Sequence, residues 1–127
     1  PATLPLPGAP MRLTFPKSRR LYQRRDFVEV RDQGRRLAQG CMVINWMPAK
    51  PGKPWRLGII TTKALGPAVV RNRARRRIRE AFRLNQGLLA HSADIVLIAR
   101  SSIRNLDAAR VTEDLVRALK RAGLLKT

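Results

Sequence analysis

The sequence predicts an α+β fold: a two-layer sandwich in which a mixed sheet is packed with helices. Three observations predict it. Around the run RNRARRRIREAFR (residues 71–83), Val70, Ala74, Ile78 and Phe82 recur every fourth position with Ala81 beside them, which is helical spacing. Two runs rich in apolar and β-branched residues precede that segment, and a third, DIVLIA at residues 94–99, follows it. A second amphipathic segment then closes the chain.

In chain order, residues 17–34 read as a first helix. Ser18 is its candidate cap, Leu21, Phe27, Val28 and Val30 are its apolar contacts, and Gly34 is its stop. Residues 41–47 read as a strand, ended by the loop PAKPGKP, and residues 56–62 as the next strand. Residues 36–38 carry a weak signal for one further pairing. Gly66-Pro67 punctuates the chain before the arginine-rich helix, which reaches about Asn85 with Gly87 beyond. A last helix is expected over residues 106–122, with Val111, Leu115, Leu119 and Ala122 inward and Gly123 closing it. The order is α-β-β-(β)-α-β-α, in one domain over residues 17–123. The Pro-rich residues 1–16 are expected as a flexible tail, and residues 124–127 are set apart from the domain as a C-terminal tail.

Charge narrows the function. Across 127 residues, 27 Lys and Arg stand against 8 Asp and Glu, a formal charge of +19. That excess points to a polyanion, with nucleic acid ahead of an anionic membrane. Hydrophobic residues at 44% are enough to build a core, so the chain is not a basic disordered tail. Seven arginines fall within residues 71–83. Arg71, Asn72, Arg75, Arg76, Arg79 and Arg83 are expected to form a cationic strip away from the apolar face. Glu80 is the only acid in that segment, too little to neutralise it. Arginine's planar fork suits bidentate phosphate contacts.

Catalytic constellations are absent from the reading. His91 is the single histidine and falls in an expected loop; Cys41, the single cysteine, reads as a small core residue. Asp26 and Glu29 are one helical turn apart but lie among Arg24, Arg25, Arg31 and Lys17, so charge pairing is expected rather than a metal site. Trp46 and Trp55 flank the Pro-rich loop and are expected to pack. One cysteine allows no disulfide framework, and no apolar run has transmembrane length, so a cytoplasmic location is expected.

The run Arg71-Asn72-Arg73-Ala74-Arg75-Arg76-Arg77-Ile78-Arg79-Glu80 resembles the RNR signature of the bacterial ribonuclease P protein subunit family. LGIITTK at residues 57–63, Gly66 with Val69-Val70, Asp26-Phe27 with Gly34 downstream, and DIVLIAR at residues 94–100 resemble the same family in the same order. The resemblance implies a left-handed β-α-β crossover around the RNR helix, as in a ribosomal-protein-type domain. It also implies a non-catalytic subunit of an endoribonuclease. The partner RNA subunit cleaves precursor tRNA to give the mature 5′ end and requires Mg2+, while the protein holds none. The implied RNA-subunit contacts are Arg71, Asn72, Arg73, Arg75, Arg76 and Arg79. The implied cleft for the 5′ leader contains Phe27, Arg31, Asn45 and Lys63; Arg31 and Asn45 stand where the family often has aromatics. No membrane and no obligatory protein partner is implied. Three other readings remain at this point: a structural RNA-binding protein of ribosomal type, a metal-dependent nuclease, and a groove-reading DNA-binding helix.

Overall fold

The computed structural model describes residues 19–21 and 23–126. Along them run α1 (Arg24–Gln33), β1 (Arg35–Gln39), β2 (Met42–Pro48), β3 (Arg56–Ile60), α2 (Ala68–Asn85), β4 (Ala93–Ala99) and α3 (Ala108–Arg121). This is the α+β class expected, and the weak signal near residues 36–38 is realised as β1. The four strands form one mixed sheet in the order β1-β2-β4-β3. β2 pairs antiparallel with β1 and β4, whereas β3 and β4 are parallel and joined through α2.

Strand alternation sends successive side chains to opposite faces. Met42, Ile44, Leu57, Ile95 and Leu97 enter the main core, where Ile78 and Phe82 of α2 and Leu115 and Leu119 of α3 meet them. Each such fully buried side chain contributes about 1.5–3 kcal/mol of transfer free energy. This packing fixes α2 on the sheet and so determines which of its arginines can face outward. Among the described residues, the opposite face carries α1 alone as a helix, with Leu21, Val30 and Val96 as its buried centre.

Three sequence expectations need correction. The first helix begins at Arg24, not near residue 17: Gln23 before it is extended, and Arg20 and Leu21 pair with β3 instead. Arg20 bridges to Leu57, and the Leu21 N–H donates to the Leu57 carbonyl at 2.8 Å, adding a backbone pairing at the free edge of β3. Ser18, expected as the cap, lies outside the described residues, as do residues 1–16. β3 ends at Ile60 rather than Thr62. Residues 124–126 are no loose tail: Leu124 is buried, its carbonyl accepts from Ala90 N–H at 2.7 Å, and Lys126 N–H donates to Leu88 at 2.8 Å.

Gly34 does stop α1, for a reason of space. A Cβ there would sit 2.4 Å from the Trp46 carbonyl oxygen and 2.5 Å from that of Val30. Trp55 packs edge-on against Phe82, with ring centroids 5.0 Å apart, and Arg19 lies over its ring at 4.7 Å.

Candidate nucleic-acid interface

α2 carries its arginines on two flanks and a crest. At 3.6 residues per turn, Arg71, Arg75 and Arg79 climb one flank, Asn72 and Arg76 form the crest, and Arg73 and Arg77 occupy the other flank. Burial agrees: Asn72, Arg73 and Arg76 are exposed, while Arg71, Arg75, Arg77 and Arg79 are half-buried. The half-buried members are held in place. Arg71 Nη1 donates to the Gly66 carbonyl at 3.2 Å, and Arg75 Nη2 to Thr61 Oγ1 at 2.8 Å. Arg77 Nη1 donates to the Leu106 carbonyl. A guanidinium has five N–H donors, so each anchored side chain keeps others for a ligand.

Arg79 is the most strained electrostatically. Its Nε is buried with no hydrogen-bond partner among the described residues. Burial first, and then the charges of Arg20, Arg75 and Arg76, pull its guanidinium below the usual arginine pKa. The folded site therefore disfavours its own charge, and an anion placed there would relieve both effects. Arg83 departs from the expected strip. It donates to Glu80 through Nε at 3.0 Å and through Nη2 as well, so this acid and base offset each other.

The second candidate surface is the α1 face of the sheet. Phe27 is half-buried, and its ring lies directly on Gly58: a Cβ at that glycine would come within 2.5 Å of Phe27 Cε1. Arg31 is exposed and shares an ion pair with Asp32 at 3.1 Å. Lys63 is exposed at the start of a single helical turn, Lys63–Leu65. Asn45 does not line open surface. It is 3% exposed, and its amide donates to the Val30 carbonyl at 3.1 Å and the Arg35 carbonyl at 2.8 Å. Both donors are committed to the backbone, so Asn45 ties α1 and β1 to the sheet.

Sequence reading missed a row of apolar side chains on this face. The register sets Val43 opposite Ile98, and Ile98 opposite Ile60, and all three are half-exposed beside α1. Period-two alternation in the strands was the available signal. At the other end of the face, Arg56 clamps Asp94 with two hydrogen bonds of 3.0 and 2.9 Å and approaches Asp26 at 3.7 Å. Asp26 thus pairs as expected, but with a strand residue rather than its helical neighbours. A recess of about 730 Å³ opens there, rimmed by Arg20, Arg25, Lys50 and Lys53 as well as Asp26 and Glu29.

Cys41 is buried, and burial and Asp114 push its thiol up to about 12, which suits a core residue and not a nucleophile. His91 is exposed in a turn region. Among the described residues, no group of three His, Cys, Asp or Glu is placed to hold a metal ion, and no helix is long and apolar enough to cross a membrane.

Comparison with known proteins agrees with this geometry. The Ribonuclease P family profile matches residues 15–123. The chain is 37% identical over 109 residues to the ribonuclease P protein component of Gluconacetobacter diazotrophicus, covering 85% of this chain and 94% of that one. The solved RNase P protein of Staphylococcus aureus superposes with a TM-score of 0.79 at 30% identity, covering 87% of this chain and 100% of that one. For the RNase P protein of Thermotoga maritima the values are 0.72 and 34%, with 80% and 96% covered. With 109 aligned residues above the 30% level, and a profile match spanning the whole sheet and its helices, the chain belongs to the bacterial ribonuclease P protein family, as a subunit of a tRNA-processing endoribonuclease.

Proposed function

We propose that this protein is the non-catalytic subunit of its ribonucleoprotein. α2 holds the RNA subunit through Arg71, Asn72, Arg73, Arg75, Arg76 and Arg79, and the α1 face of the sheet receives the 5′ leader of precursor tRNA. The RNA subunit cleaves the leader phosphodiester with Mg2+ that it binds itself. One observation carries the reading: Arg79 sits half-buried among Arg20, Arg75 and Arg76, with one N–H unpartnered and its charge disfavoured. Such an arrangement costs folding free energy by itself and is relieved when phosphates approach.

The geometry supports a division of roles. Arg71 and Arg75, tethered to Gly66 and Thr61, present preorganised guanidinium groups, which suits recognition of fixed phosphates in a folded RNA. Asn72, exposed at the crest, both donates and accepts and so can read a sugar or base edge. On the other face, Phe27 with Ile60, Ile98 and Val43 offers an apolar platform on which unpaired bases can stack, and Lys63 and Arg31 supply phosphate contacts nearby in the chain. By neutralising phosphates of both RNAs, the protein lowers the amount of Mg2+ needed to bring them together.

The test is the salt dependence of binding to the RNA subunit. Arg76→Ala removes an exposed arginine, so affinity should fall and the slope of log K against log salt should shrink by about 0.7–0.9, one phosphate's worth. An unchanged slope and affinity would remove α2 from the interface.

A further inference from the structure

The outer flank of α2 borders a recess that, of the RNA contacts assigned above, only Arg73 lines. It measures about 160 Å³ and lies between α2 and the turn Ser101–Asn105 that follows β4. Val70, Ala74 and Ile103 wall it, and Arg73, Arg77 and Arg104 stand at its rim. Arg73 and Arg77 are four residues apart and so lie one above the other on the flank away from Arg71 and Arg75. Arg77 is fixed there by its bond to the Leu106 carbonyl, while Arg73 and Arg104 are exposed.

No counter-ion is supplied from within. Among the described residues, no carboxylate forms an ion pair with any of these three arginines. The acid that follows in the chain, Asp107, is turned to the start of α3, where it accepts from the Arg110 N–H at 2.9 Å. Three arginines thus line an apolar-walled recess without an acidic partner. Low-dielectric walls strengthen their mutual repulsion and equally their attraction for an anion.

We infer that this recess is a second phosphate site, filled by a backbone phosphodiester of the RNA subunit. The inference rests on the RNA-binding reading of α2 given above. The RNA subunit is the favoured source because Arg73 and Arg77 belong to the same helix as the strip, whereas the leader surface lies on the opposite face of the sheet. With phosphates on both flanks, α2 (about 10–12 Å across with its side chains) lies in a groove with RNA backbone on each side, not along a single strand. Arg104, outside the arginine-rich segment, is then an RNA contact.

The test uses the full chain in filter-binding titrations against the RNA subunit from 50 to 400 mM salt. Arg104→Ala, whose side chain is exposed, is compared with Arg76→Ala and with Arg73→Ala/Arg104→Ala; circular dichroism melts confirm that each folds. The expected result is a slope smaller by about 0.7–0.9 for Arg104→Ala, and little further loss in the double variant, because the two arginines share one phosphate. A normal slope for Arg104→Ala alongside a reduced one for Arg76→Ala overturns this site and leaves the strip intact. Normal slopes for both overturn the site together with the RNA-binding reading of α2. A loss seen only when precursor tRNA is titrated onto the assembled particle overturns the assignment to the RNA subunit and places the phosphate on the substrate.

Discussion

On one face of the sheet, α2 and α3 close over Met42, Ile44, Leu57, Ile95 and Leu97 until none is more than 2% exposed. On the other, α1 lies across the strands and leaves Val43, Met47, Ile60 and Ile98 half-exposed. The sealed face holds α2 rigidly and so fixes its two arginine flanks in space. The open face keeps an apolar platform within reach of solvent, with Phe27 resting on Gly58 at its margin. Stability is therefore concentrated where the charged helix is mounted, and adaptable contact is left where a single-stranded ligand can lie.

The largest effect that separates the faces is a truncation on the sealed side. Phe82→Ala should lower unfolding free energy by about 3–5 kcal/mol. Ile98→Ala, at a half-exposed site, should cost well under half as much in the same urea titration. Equal costs would break the contrast. Next in size is Asp114→Ala. Asp114 is 3% exposed, accepts from the Cys41 N–H at 3.0 Å, and approaches Arg110 at 3.7 Å. Its loss strands a buried donor, so a penalty of about 1–3 kcal/mol is expected in thermal or urea unfolding.

Smaller again, and opposite in kind, is Phe27→Ala. It should weaken binding of precursor tRNA with a leader by up to about 1–3 kcal/mol while leaving leaderless tRNA unchanged. A loss shared by both substrates would mean that Phe27 only supports the fold. The least disruptive probe is chemical: with its thiol pushed up to about 12, Cys41 should resist alkylation at pH 8 until the protein is unfolded. Rapid alkylation of the folded protein would show that the sealed face opens.

How much the sequence revealed follows from how local each signal was. α2 was legible because Val70, Ala74, Ile78 and Phe82 repeat at a single period and Gly66-Pro67 marks the start. β4 was legible because, after Asp94, the run Ile95 to Ala99 is continuously apolar, as a strand buried on both faces must be. The pairing of Arg20 and Leu21 with β3 was missed, because it is a long-range contact to Leu57 with no local pattern. Leu124 was misjudged for the same reason: its place in the core depends on residues 88–90 meeting it. Within the site, charge and helical periodicity identified the arginines and left Arg73 and Arg77 outside the strip, but no local pattern revealed that Arg104 lines a recess with them. Asn45 illustrates the converse. Its position, where the resembling family often has an aromatic, implied a place in the leader cleft, whereas its amide is taken by the backbone carbonyls of Val30 and Arg35.

The most direct measurement of the central claim is cleavage of precursor tRNA at low Mg2+ by the RNA subunit alone, the protein alone, and the two together. The RNA alone should be nearly silent, the protein alone inactive, and the reconstituted particle active, with Arg75→Ala/Arg76→Ala/Arg79→Ala returning the mixture towards the rate of the RNA alone. Cleavage by the isolated protein, or an RNA rate that the protein leaves unaltered, would contradict the account.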